Sequence, residues 1–335
     1  MLAGASILGG AAPAAYGDEL SLPTKTWRGS MAAELLQTRA EVTARPLQEG
    51  LEVWEAGASG YMVIDTTTRT PLEYSTTAVS PFHSSSGELS YLGPGLYFAN
   101  RAGRSVNLFT GRSFKSSAHR VFARETAEMF HEKASPLRHT TELGKAGTGV
   151  GTHALDPVKS SDVLSRITSY SYITGCYVYP NTTGICGWVA GSIVTRYWHA
   201  RSSARKLLPS KFRNGTNLTS SPNFATYLQG SNSNDSWAQP VADRLGWNAK
   251  NQNVAASWSW VLGNIGMFSE VEKNRPVIVF GSLPINTNGS WGAHAVVGYG
   301  ETRGGWLITH YGWKGYTDIV LNGGLIGSNA KFQLN

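Results

Sequence analysis

Residues 184–198 read GICGWVAGSIVTRYW, and the way this stretch folds decides the architecture around it. Val189, Ile193 and Tyr197 recur at helical spacing, with the small residues Ala190, Gly191 and Ser192 beside them. The pattern predicts a helix over 186–200. Small residues let neighbouring elements approach closely, so the helix is expected to be central. Cys186 opens it. A sulfur at a helix N-terminus faces unpaired N–H groups and the positive end of the macrodipole, which favour the thiolate. Three readings are open there: a packed thiol, half of a disulfide, or a nucleophile. The only other cysteine is Cys176, ten positions upstream, close enough for a small disulfide loop.

Downstream, PVIVFG at 276–281, AHAVVGY at 293–299 and GWLITHY at 305–311 read as buried strands. The last two are joined by a short polar turn, GETRG, and form a hairpin. A turn centred near Thr302 and Arg303 puts His294 across the ladder from His310 or Tyr311; in the first register His294 and His310 are direct neighbours on one face, about 5 Å apart at Cβ. Helices are expected at 236–247 and 259–274. One central helix with a hairpin-rich sheet makes this half α+β.

The first half is built differently. A short helix is expected at 30–41, then strands at 51–56, 60–66, 71–76, 95–101 and 105–111, punctuated by turn residues, and a helix at 121–133. This reads as a small α+β domain over 20–133. LGKAGTGVGTHALDPVKSS lies in a Gly/Thr/Ser-rich linker at 134–161, and the second domain runs from 162 to 335. Residues 1–16, small and apolar with Ala12-Pro13-Ala14 as a cleavage-site pattern, are expected to be the remnant of a signal peptide. The protein is therefore expected to be secreted.

Composition narrows the function. Of 335 residues, 41% are hydrophobic and 15% charged, enough to bury a core and sparse enough in charge to suit an extracellular, loop-rich chain. The net charge of +7 is spread along the chain and densest at 196–213, where it reads as a solvated helix end or, less readily, as a patch for anionic cell-wall polymer or nucleic acid. No nucleic-acid partner, no membrane span and no cofactor is expected. His83, His119, His131, His139, His153 and His199 show no metal-ligand spacing, so no metal site is expected. N-x-S/T sequons begin at Asn181, Asn214, Asn217, Asn234 and Asn288; outside a glycosylating host they are polar loop composition.

A cysteine opening a helix, a histidine starting a strand and a polar residue ending the next strand supply the parts of thiol catalysis. The imidazole lowers the thiol pKa and later protonates the leaving group, and the third residue holds the ring. CGWVAGSIV, RPVIVFG, GAHAVVGYG and WLITHYGWKGYTDIVL resemble the papain-like cysteine peptidases, nearest to the streptopain and double-glycine-leader-peptidase-like branches. The resemblance implies Cys186 as nucleophile, His294 as general base and acid, and His310 where the family has Asn or Asp. It implies Trp313 as the aromatic shielding the inner hydrogen bond. The family's oxyanion Gln is missing before Cys186, and Asn181 is the candidate in its place, against a turn-forming role in PNTTG. EVWEAGASGYMVIDTTTRTPLEYST resembles the streptopain propeptide, so the first half is expected to inhibit the second as part of one zymogen. Protein or peptide is the implied substrate; Trp188, Trp258, Trp260 and Trp291 are candidates for its pocket. Two alternatives remain: the chemistry of compact cell-wall amidases, which also use Cys-His-His sets, and a decayed papain-like surface binding module.

Overall fold

The computed structural model describes residues 20–22, 26–38, 40–134, 163–176, 185–201, 206–219, 221–232, 237–282 and 294–335. The chain is α+β, as its patterning predicts. Strand β1 (Leu20–Ser21) and helix α1 (Trp27–Leu35) precede a meander of β2 (Thr43–Pro46), β3 (Leu51–Glu55), β4 (Tyr61–Asp65) and β5 (Thr70–Ser75). A separate four-stranded antiparallel sheet follows, with β6 (Leu89–Tyr91), β7 (Tyr97–Arg101), β8 (Arg104–Asn107) and β9 (Ser113–Lys115) in sequence order. Helix α2 (Ser116–Lys133) closes this half.

The second half begins with β10 (Val163–Arg166), α3 (Ser171–Thr174) and α4 (Cys186–Arg201). After a short ribbon of β11 (Arg213–Asn214) and β12 (Asn217–Leu218) come α5 (Ser221–Gln229), α6 (Ala238–Asn251), β13 (Ala256–Leu262) and α7 (Met267–Glu272). The remaining strands are β14 (Val277–Gly281), β15 (Ala295–Thr302), β16 (Leu307–His310), β17 (Ile319–Leu321) and β18 (Ile326–Leu334).

One antiparallel sheet runs through both halves, in the order β1-β2-β3-β4-β5-β17-β16-β15-β14-β18-β13, with β10 also paired to β15. The seam is β5 against β17, where Tyr74 faces Val320 and Glu73 faces Leu321. Helix α4 lies at the centre of the second half. Every residue from Cys186 to Ala200 is buried, and the helix packs on β14, β15, β18 and helices α3, α5 and α6. Such all-round burial suits the apolar and small residues that make up most of the helix, with Arg196 and His199 as buried exceptions. A Cβ at Gly191 would stand 3.5–3.7 Å from Leu228, Leu245 and Val241, so α5 and α6 both pack against the helix at this residue.

Several expectations change. The aromatic run at 256–262 is strand β13, paired along its length with β18, and only Met267–Glu272 of the expected 259–274 helix is helical. A short apolar run has no length from which to tell strand from buried helix, and pairing settled it. No disulfide links Cys176 to Cys186; both are buried. The basic stretch is partly engaged. Arg196 donates to the Tyr172 carbonyl and to Asn217; Arg201 donates to the Tyr197 hydroxyl and the Asn274 carbonyl.

The hairpin register also differs. His310 faces Val297, not His294, and Thr309 faces Gly298. The turn is wider than expected: the Thr302 N–H reaches the Trp306 carbonyl at 2.9 Å. A bulge between Gly298 and Gly300 adds one residue to β15. Together they slide the strands, and with period-two alternation a slip of odd length reverses which side chains share a face.

Candidate functional site

Helix α4 begins at Cys186, and the Ile185 carbonyl accepts from the N–H groups of Trp188 and Val189 at 3.0 Å. Ile185 is thus the last residue before the helix, and the Cys186 sulfur hangs on its first turn. The side chain is 8% exposed, buried but at the surface of the core.

His294 sits immediately before β15, 6% exposed. Its Nε2 lies 3.2 Å from the main-chain carbonyl of Tyr311. A carbonyl can only accept, so Nε2 carries the proton and Nδ1 is the basic nitrogen. Trp313 lies flat on the ring, with centroids 4.3 Å apart and planes 8° from parallel. The expected shielding aromatic is therefore against the histidine itself. Burial pushes the His294 pKa down to about 4, against a smaller opposing pull from the Tyr311 carbonyl.

His310 pairs with Val297 and not with His294. Its Nδ1 accepts the Gly312 N–H at 2.8 Å, and its Nε2 is buried without a hydrogen bond of ordinary geometry. Burial lowers its pKa to about 4, partly offset by the nearby Cys176 backbone. The His310–Gly312 turn also touches the nucleophile helix: a Cβ on Gly312 would stand 3.0 Å from Val189, one turn beyond Cys186. Gly312 has φ +85°, a left-handed conformation that a glycine adopts without strain. Asn181 lies outside the described residues.

Residues from the first half complete the site, and sequence reasoning did not find them. The turn Gly93-Pro94-Gly95 between β6 and β7 sits on the histidine. A Cβ on Gly95 (φ +74°) would come within 2.5 Å of His294 Cδ2, 2.6 Å of Cγ and 2.9 Å of Trp313. Phe109 stacks on the other side of Trp313, at 4.3 Å and 11°. Behind them, Glu73 is wholly buried and accepts four phenols. Tyr61 and Tyr97 bind Oε1 at 2.8 and 2.5 Å, and Tyr91 and Tyr311 bind Oε2 at 2.8 and 2.6 Å. Tyr311 is the only one of these four from the second half, and it is the residue whose carbonyl holds His294. The GPG turn is visible in the sequence, but nothing local says what it faces.

A methyl group at Gly95 should therefore loosen the contact between the halves. The left-handed φ costs a non-glycine residue about 1–2 kcal/mol, and the clash with a stacked, buried ring adds to it. Gly103 is the control, having φ +76° and nothing within 4 Å of its added Cβ. Gly95→Ala should lower the melting temperature more than Gly103→Ala and speed the reaction of Cys186 with a thiol reagent. Equal behaviour of the two variants would show that the turn does not press on the histidine.

Among the described residues no group of three or more His, Cys, Asp or Glu side chains is placed to hold a metal, and no helix is long and apolar enough to cross a membrane. No protein-family model matches the chain, and no curated protein matches it. Twelve solved chains show a likeness to this one, among them two from one organism. One is a prointerpain A fragment from Prevotella intermedia, 12% identical, covering 86% of this chain and 98% of that one with a TM-score of 0.42. The other is the active wild-type interpain A cysteine protease of the same organism, 13% identical, covering 51% and 94%, with a TM-score of 0.31. At those scores the functional case rests on this chain's own residues.

Proposed function

We propose that the chain is a cysteine peptidase, exported and made as a zymogen, with Cys186 as nucleophile and His294 as general base and acid. The supporting observation is a single set of contacts. His294 is held in one tautomer with Nδ1 basic, by a turn that packs on the first helical turn after Cys186, while a turn of the first half covers its ring. Cys186 gives its proton to His294 and attacks a peptide carbonyl carbon. The tetrahedral intermediate collapses as the imidazolium protonates the departing amine, leaving a thioester. Water, deprotonated by His294, then attacks the thioester, and the thiol is regenerated as the acid product leaves. The N–H groups of the first α4 turn are suited to the oxyanion, and Asn181 is retained as its side-chain donor.

The low His294 pKa supports inhibition by the first half. An ion pair of thiolate and imidazolium needs a charged ring at neutral pH, and a desolvated ring under Gly95 resists that charge. Removing the first half would let water reach it. The small, apolar sequence at 1–16, with its Ala12-Pro13-Ala14 pattern, is the ground for proposing export.

The test is mass-spectrometric. A papain-type epoxide should add to Cys186 in the wild type after the chain has cleaved itself, and peptides should be released from casein. Cys186→Ala should show no adduct, no self-cleavage and no peptide release. Release of amino groups from peptidoglycan with casein untouched would assign an amidase instead. Absence of any adduct in the wild type would leave a binding module.

A further inference from the structure

In peptidases of the class proposed above, a side chain at position 310 would orient the catalytic imidazole directly. Here the register forbids it: His310 pairs with Val297, and its Nδ1 is spent on the Gly312 N–H. Yet that N–H belongs to the same peptide group as the Tyr311 carbonyl, and the carbonyl holds His294 Nε2 at 3.2 Å. In a trans peptide the C=O and N–H point in opposite directions. The two imidazoles therefore lie at opposite ends of one peptide unit, His310 Nδ1 to N–H and C=O to His294 Nε2–H.

We propose that the Tyr311–Gly312 peptide is the orienting group for His294, with His310 as a positioning residue that acts through it. The inference rests on the peptidase reading for its kinetic consequence but not for its geometry. Three observations support it. The peptide is pinned on every side: Tyr311 donates its N–H to the Tyr316 carbonyl at 2.9 Å, its phenol is fixed on Glu73, and Gly312 sits where a Cβ would press on Val189. Accepting the Gly312 N–H polarises the amide and makes its carbonyl a better acceptor, the cooperativity of hydrogen bonds in series. Finally, both rings are set to the Nε2–H tautomer by this chain, because Nδ1 of His310 must be bare to accept and Nε2 of His294 must be protonated to donate. His310 thus does for the reaction what an amide side chain would do, one peptide further away. The histidine at 310 is a solution to the shifted register and not a decayed residue.

The experiment compares His310→Asn, whose Oδ1 can take the place of Nδ1, with His310→Phe, which fills the space without an acceptor. Full-length protein carrying Cys186→Ala and labelled with 15N-histidine reports the His294 tautomer, assigned through a His294→Gln sample. The Nε2–H form is expected in the parent and in the His310→Asn variant, and a mixture of tautomers in the His310→Phe variant. In chains with Cys186 intact, allowed to self-cleave and normalised to epoxide-titrated thiol, His310→Phe should lower kcat/KM about tenfold or more through kcat, one hydrogen bond's worth of orientation. It should also move the acid limb of the pH profile. His310→Asn should stay within about threefold of wild type. An Nδ1–H tautomer in the parent, an unchanged spectrum and rate in His310→Phe, or a His310→Asn variant as poor as His310→Phe would each overturn the proposal. If the wild type shows no turnover or adduct, the peptidase reading fails, and the tautomer spectra still decide the peptide bridge.

Discussion

Glu73→Ala should cost on the order of 4 kcal/mol or more of stability and separate the two halves of the sheet before the rest unfolds. Alanine would leave the Tyr61, Tyr91, Tyr97 and Tyr311 hydroxyls, all on residues 1% exposed or less, without their shared acceptor. A buried donor left without a partner costs about 1–3 kcal/mol, and the vacated volume adds a cavity cost. Against a typical stability of about 5–15 kcal/mol this is a large loss. Glu73→Gln should behave differently. It keeps one acceptor oxygen for Tyr61 and Tyr97, and the other two phenols can rotate to accept from the amide. It also removes a charge that burial penalises, since desolvation raises the Glu73 pKa despite four hydrogen bonds that oppose it. Among the described residues no Lys, Arg or His forms an ion pair with it. A buried charge without a counter-charge is often replaced at no loss. Chemical unfolding of the two variants, followed by tryptophan fluorescence, decides the matter. An alanine variant within about 1 kcal/mol of wild type would show that the tyrosine cluster does not hold the seam.

Acid should unfold the protein between about pH 6.5 and pH 4. His294, His310 and His119 are each lowered by burial from 6.5 to about 4, with Glu88 opposing the shift at His119. A base whose folded pKa is depressed stays neutral in the fold while the unfolded chain takes up the proton. Its contribution is complete above the unfolded value near 6.5 and is lost as pH falls towards 4. A shift of that size is on the order of 3 kcal/mol for each ring, so three rings together rival the whole stability of a domain. Glu73 runs the other way: its raised pKa stabilises the fold as pH falls, and it offsets part of the loss. Denaturant midpoints at pH 7.5, 5.5 and 4.5 should fall steeply, with proton uptake on unfolding measurable by calorimetry at pH 5.5. A stability that is flat across this window would mean that the rings are hydrated and not buried neutral.

Local pattern suffices where a short stretch carries its own period. Helix α4 with Cys186 on its first turn, the strands around 51–76 and 276–311, and the helix ending at Lys133 follow from spacing and turn residues alone. The expected helix at 259–274 overlaps β13, because a short run such as 259–262 fits a helix as well as a strand, and only the pairing with β18 distinguishes them. His294 and His310 stand out in the sequence, but their relation does not. A wider turn and one bulged residue, each compatible with the same sequence pattern, decide the register of the hairpin.

What the sequence determined by itself is the chemistry available: a thiol at a helix start, an imidazole at a strand start, and a packed second half to hold them. What only the tertiary structure decided is what faces those groups. Glu73 meets Tyr311 across 238 residues, Gly95 meets His294, and a peptide group, not a side chain, meets Nε2. Such contacts follow from how the β5–β17 seam brings two halves together. Local periodicity fixes which face of an element is apolar, but it says nothing of which distant element will cover that face.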